Sequence, residues 1–229
     1  MTQADRHDLA VRMAEMARAV ASPRSLDDVL AGVTAAAMEL IPGVDAAGVL
    51  LIGNEGTFQT LPAAGIDIAH KLHELQMGFD DGPCVKEALE DVVVRIDDFR
   101  EETRWPAYAP ACVEIGILSG MVFQLYTATR RAGTLNLFSF RTHVWTAEAE
   151  TVGAVLAAHA TAAILASQQE AQLETALSTR DRIGQAKGII MERFDVDDLR
   201  AFDMLRQLSQ DTNVKLVDIA RRVIDTRAQ

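Results

Sequence analysis

Leu173-Glu-Thr-Ala176-Leu177-Ser178-Thr-Arg180-Asp-Arg-Ile183-Gly184-Gln185-Ala186-Lys187-Gly188-Ile-Ile-Met191-Glu-Arg193 reads as one helix carrying two glycines. Each glycine inside a helix costs about 1 kcal/mol relative to alanine. At i and i+4 they clear one helical face, and Lys187 stands beside the groove they leave. Two readings follow from these residues: a docking surface for another backbone, or tight packing of a second helix of the same chain.

Downstream, Asp195-Val-Asp197-Asp198 supplies an N-cap and first-turn acids, so a second helix is expected from about Asp197. Ala201, Phe202, Leu205 and Leu208 are its apolar residues, and Asp211-Thr212-Asn213 ends it. Leu216, Ile219, Ala220 and Val223 at i, i+3, i+4 and i+7 mark a third helix. Each is too short to stand alone, which predicts three helices around one small core. Arg180, Lys187, Arg206, Ser209, Thr212, Asn213, Lys215 and Arg221 are expected to face outward.

Taken together, Arg180-x-x-Ile-x-Gln185-Ala-Lys-Gly188-Ile-Ile-Met-Glu192, Ala201-Phe-x-x-Leu205-Arg206-x-x-Ser209 and Asn213-x-Lys215-Leu-x-Asp-Ile-Ala220 resemble the ANTAR domain. The resemblance implies an RNA-binding antitermination module, in which a dimer engages paired stem-loops of a nascent leader transcript and keeps the terminator hairpin from forming. The family's alanine, lysine and glycine of the first helix stand at Ala186, Lys187 and Gly188, and the arginine and serine of the second at Arg206 and Ser209. With Gln185 of the motif and the outward-facing polar residues, the expected RNA-binding set is Arg180, Gln185, Ala186, Lys187, Gly188, Arg206, Ser209, Thr212, Asn213, Lys215 and Arg221. The expected partner is a leader RNA with two stem-loops, not DNA.

Charge sets the style of that recognition. The chain has a net charge of -11, but Leu173 to Gln229 holds ten Lys/Arg and ten Asp/Glu, so the acidity lies upstream. A neutral tail does not bind nucleic acid through a general basic patch. It suits hairpin loops, whose splayed bases a few placed polar groups can read. The same neutrality keeps open an alternative, a ligand- or redox-sensing dimeric signalling protein whose helical tail binds a protein partner.

At 229 residues the chain exceeds one typical domain. Hydrophobic residues make up 49%, enough for folded cores. No uncharged apolar run approaches the roughly 20 residues a bilayer span needs, and the N-terminus lacks a signal-peptide pattern, so a cytoplasmic protein with no membrane partner is expected. Two cysteines, Cys84 and Cys112, make no disulfide framework.

Upstream, helical patterns cover Asp8 to Val20 and, after a Ser25 cap, Asp27 to Ile41. Strands are expected at Ala47–Ile52, Thr57–Leu61, Val92–Ile96, Met121–Tyr126 and Thr134–Phe140, with turns at Gly53–Gly56 and Thr127–Gly133. Connections this short favour antiparallel pairing. Gly82-Pro-Cys84 with Ala88, Arg95-Ile-Asp-Asp98, Arg104-Trp-Pro106 with Tyr108, and Gly120-Met-Val with Gly133-Thr-Leu-Asn-Leu137 resemble the GAF domain. That resemblance implies an antiparallel sheet flanked by helices, with a cavity on one face that in some relatives holds a small molecule; the ligand does not carry over.

The expected fold class is therefore α+β: an N-terminal helix (1–24), a GAF-like sensor (25–168) and, through a long helix, an all-α three-helix domain (169–229). From Thr146 to Arg193 only glycines interrupt the helical pattern. Ala149, Val152, Val155, Leu156, Ala163 and Leu165 are apolar enough to pack on the N-terminal helix, on a partner subunit or on the sheet, and a homodimer is expected.

Candidate chemistry is sparse, and no enzyme is expected. Cys84 precedes a helix start expected near Val85, whose N-terminus would lower a thiol pKa, making it the one redox or ligand candidate; the competing reading is a small buried hydrophobe. His70 and His73, at i and i+3, read as a solvated edge, and no metal set completes around them.

Overall fold

A computed structural model describes residues 25–52, 58–60, 66–84, 92–126 and 131–227. The expected helix at 8–20, the turn at 53–56, residues 127–130 of the expected Thr127–Gly133 turn and the helix start near 85 lie outside them; residues 131–133 of that turn are strand instead, because they pair with a neighbouring strand. The chain divides into two compact units, Met1–Ala166 and Ser167–Gln229.

In the first unit, α1 (Leu26–Leu40) starts where the Ser25 side chain accepts a hydrogen bond from the Asp28 N–H at 3.2 Å. It turns Leu30, Val33 and Ala37 inward. Strands β1 (Ala46–Ile52) and β2 (Phe58–Thr60) are followed by α2 (Ile66–Phe79), β3 (Val93–Ile96), α3 (Tyr108–Glu114), β4 (Ser119–Tyr126) and β5 (Arg131–Ser139). The five strands form one antiparallel sheet in the order β2-β1-β5-β4-β3. Its centre is fixed by pairs such as Val49 with Leu135 and Phe123 with Leu135.

Both faces of this sheet are covered, so its strands read as continuous apolar runs. On one face Val49, Met121, Phe123, Leu135 and Leu137 meet α1 and the first half of α4 (Ala147–Phe194). On the other, Leu50, Ile96, Val122 and Phe138 meet Leu72 of α2, Tyr108 and Cys112 of α3, and Phe99 and Trp105 of the intervening loop. Gly153 is a close-approach residue: a Cβ there would lie 2.2 Å from Cζ of Phe123, so only glycine lets α4 settle on that ring.

The 48-residue α4 begins at Thr146, whose hydroxyl accepts from the Ala149 N–H at 3.1 Å. By length and composition alone it is long and apolar enough to cross a membrane, contrary to the expectation that no run approaches that length. Its apolar content has a local explanation: Ala149, Val152, Leu156, Ala160 and Ile164 are buried in the sheet core. Of the packing partners expected for this stretch, the sheet takes Ala149, Val152 and Leu156. Leu156 belongs to the core, whereas Val155 and Leu165 are half-buried.

Helices α2 and α3 have no counterpart in the expected elements. The buried stripe of α2 is Ala69, Leu72, His73 and Gln76, and two polar residues in it hide the amphipathic pattern. His73 is therefore not on a solvated edge, as expected, but buried.

In the second unit, the end of α4 packs with α5 (Asp198–Thr212) and α6 (Leu216–Arg227). Asp197 caps α5, accepting from the Arg200 N–H at 2.8 Å. Asn213 ends it in the left-handed region at φ 52°, a conformation asparagine tolerates better than most residues. The core consists of Ala186, Ile190, Ala201, Leu205, Ile219 and Ala220. Phe202 and Leu208, expected among the apolar residues, are instead exposed, because Ala201 and Leu205 define the inward face.

Candidate nucleic-acid interface

Arg180, Gln185 and Lys187 line a single cleft of about 740 Å³ along α4, together with Asp181, Gly184 and Phe202. Lys187 Nζ forms an ion pair with Asp198 in the first turn of α5 and sits 5.9 Å from the centroid of the Phe202 ring. Phe202 is 37% exposed, leaving part of an aromatic face accessible beside a cation. Sequence reasoning missed it because an aromatic at helical spacing reads as core. The usable signal was its offset of one residue from Ala201.

Along α5, Phe202, Arg206, Ser209 and Asn213 follow at i, i+4, i+7 and i+11, so they share one face. Arg206 pairs with Asp203 at 3.0 Å. The Ser209 hydroxyl donates to Val214 O at 2.6 Å, and the Asn213 N–H bonds back to α5, so both residues shape the α5–α6 turn. Lys215 and Arg221 are exposed.

Two of the expected site residues are placed elsewhere. Ala186 is fully buried among the three helices and presents no surface, so its place in the motif is a packing role. Thr212 donates its hydroxyl to Leu208 O at 2.6 Å and lines a different cleft. Gly184 and Gly188 are exposed, and a Cβ on either would meet nothing within 4 Å. Hence no helix among the described residues uses the cleared face.

The first unit holds a buried polar cluster. Asn136 Oδ1 accepts from Cys84 Sγ at 3.1 Å, and Asn136 Nδ2 lies 3.1 Å from Thr134 Oγ1 and 3.0 Å from His73 Nε2. Gln76 Oε1 accepts from the Cys84 N–H at 2.9 Å. Burial pushes the Cys84 thiol up to about 11, the opposite of activation at a helix N-terminus. Burial, and secondarily His70, lowers His73 to about 4, so it is a neutral acceptor for Asn136. Gln76 Nε2 has no hydrogen-bond partner among the described residues.

A pH dependence follows. The unfolded chain protonates His73 near pH 6.5, whereas the folded unit resists until about pH 4. As the unfolded state binds more protons in between, stability is lost as the pH is lowered through that window, by about 3 kcal/mol, and levels off below it. Thermal melts from pH 7 to 4 should show this slope, and His73→Gln should flatten it. An unchanged slope in the variant would assign acid lability to other groups.

The ANTAR domain profile matches residues 171–224 and the GAF domain profile residues 23–165. The chain belongs to the GAF family, and its GAF domain is followed by an ANTAR domain. This domain pair indicates the family of signal-sensing antitermination regulators, and its two domains are typically regulatory. No curated protein matches the sequence. Among solved structures, the GAF domain from a phosphoenolpyruvate-protein phosphotransferase of Coxiella burnetii is 18% identical, with a TM-score of 0.58, covering 70% of this chain and 94% of that one. A domain of a putative two-component sensor histidine kinase from Sinorhizobium meliloti 1021 is 16% identical at a TM-score of 0.54, covering 66% and 99%. The phytochrome photosensory core module of Stigmatella aurantiaca is 13% identical at 0.58, covering 91% and 46%. At these identities the likeness is one of fold. For the GAF–ANTAR chain, it agrees with the expected α+β class.

Proposed function

We propose that this GAF–ANTAR protein binds a leader transcript with two stem-loops as a homodimer, one ANTAR unit per loop, and so prevents terminator formation. The observation that carries this reading is the cleft where Lys187 lies beside the exposed Phe202 ring, next to Gly184 and within reach of Arg180 and Gln185. An exposed ring flanked by a cation and amide groups is what an unstacked loop base needs, and the glycines let a phosphate backbone come close. The Arg206–Ser209–Asn213 line extends the surface along α5. The GAF unit is the signal-sensing part of this reading.

An electrophoretic shift with a two-hairpin leader RNA, and a single hairpin as control, tests the reading. Lys187→Ala and Phe202→Ala should each weaken binding by about 1 to 3 kcal/mol, the worth of one charged contact or one stacked base, without loss of helicity. Asp198→Asn should act in the opposite direction, because it frees Lys187 from an intramolecular carboxylate that RNA must displace. Capping by Asp197 remains, so the stability cost is at most about 1 kcal/mol. If none of the three changes binding, the RNA surface lies elsewhere; if no hairpin RNA binds the parent, the tail serves a protein partner.

A further inference from the structure

A second cleft in the ANTAR unit, about 390 Å³, opens between the end of α4, α5 and α6 on residues the RNA reading does not use. Ile189, Met204, Leu208 and Val223 make its walls, with Phe194 and Leu208 exposed. Its size falls in the range of about 300–1,000 Å³ typical of small-ligand sites.

The polar groups of the lining narrow the ligand's chemistry. Thr212 and Thr226 commit their hydroxyl hydrogens to Leu208 O and Arg222 O, at 2.6 and 2.7 Å. The charged lining residues are Arg193 and Arg222, with no carboxylate among the lining residues. Neither guanidinium forms a salt bridge among the described residues. In a chain of net charge -11, an apolar cleft edged by two exposed, unpaired arginines and lined by no acid favours an apolar anion over a neutral or cationic molecule. A guanidinium holds a carboxylate through two parallel N–H···O bonds, and the aliphatic walls bury the attached chain. We propose that this cleft binds an aliphatic carboxylate, with the chain between Ile189, Met204 and Val223 and the headgroup at Arg193 and Arg222. Ile189 is two residues from Lys187, and Met204 is two from Arg206, so the ligand would sit between the helices that carry the proposed RNA surface. The site itself does not depend on that surface binding RNA.

Titration calorimetry of the full-length protein with decanoate, below its micelle concentration, tests the proposal, with decanol as the uncharged control. The expected result is saturable binding of one decanoate per chain, at least tenfold tighter than decanol. Arg193→Met with Arg222→Met keeps much of the apolar stem and should weaken decanoate at least tenfold, leaving decanol unchanged. If that variant fails to fold, methyl NMR of methionine-labelled parent protein decides: Met204, assigned through Met204→Leu, should shift on saturation. No saturable binding, equal affinity for the alcohol, or shifts confined to GAF-unit methionines such as Met38, Met77 and Met121 would overturn it. So would a loss of self-association in Leu208→Glu, measured by light scattering, because the cleft would then be an interface between copies.

Discussion

Leu156→Glu is expected to unfold the GAF unit, while Val155→Glu one residue away leaves it folded. Leu156 is buried on α4 against the sheet, in the cluster that contains Val33, Phe123 and Leu135. A carboxylate there loses the leucine's apolar contacts, worth about 2 to 5 kcal/mol in a core, and adds several more for desolvation without a partner. Domains of this size are stable by only about 5 to 15 kcal/mol, so the sum removes most or all of the margin. Val155, about 100° around α4 from Leu156, is half-buried in an open cleft with Val93, Glu150, Thr151 and His159. Far-ultraviolet circular dichroism and thermal melts of the two variants check the contrast. A Leu156→Glu protein that melts with the parent would mean that α4 presents a different face to the sheet.

The second large effect concerns assembly. Leu173 and Leu177 lie at i and i+4 on α4, 63% and 53% exposed, and in the proposed homodimer they are where a second copy would pack. Leu173→Glu with Leu177→Glu should cost a monomer little stability, since neither residue is buried within it. If two tails hold two loops of one transcript, losing the dimer removes the high effective concentration of the second contact and weakens binding by about 10²-fold or more. Single-hairpin affinity should stay as it was. Light scattering gives the mass and the shift assay the affinity. A folded monomer that holds the two-loop RNA as tightly as the parent would falsify bivalent recognition.

Legibility in the sequence differed from element to element. The tail was readable because its cues are local: Asp197 caps, Asn213 terminates, and Leu205, Ile219 and Ala220 keep strict helical spacing. The sheet was readable because each central strand is buried on both faces and so forms an apolar run. What escaped depends on contacts that no local pattern encodes. Helix α2 hid because His73 and Gln76 occupy its buried stripe, tolerated by hydrogen bonds to Asn136 and the Cys84 backbone across long sequence distances. The site was partly readable. Lys187 and Gln185 stood out by motif, but that Ala186 points inward and Phe202 outward follows from the phase of packing, which one residue of offset decides.

The three fully buried alanines, Ala186 on α4, Ala201 on α5 and Ala220 on α6, bear on how such a unit can change over time. Alanine has no rotamers to adjust, so a larger side chain at any of these positions must push helices apart, at about 1 to 3 kcal/mol in a small core with little to spare. Drift is thereby steered away from the interior. Residues such as Arg180, Arg206 and Lys215 can be exchanged at little structural cost, so a lineage can acquire a new target by altering its exterior while the three alanines stay fixed.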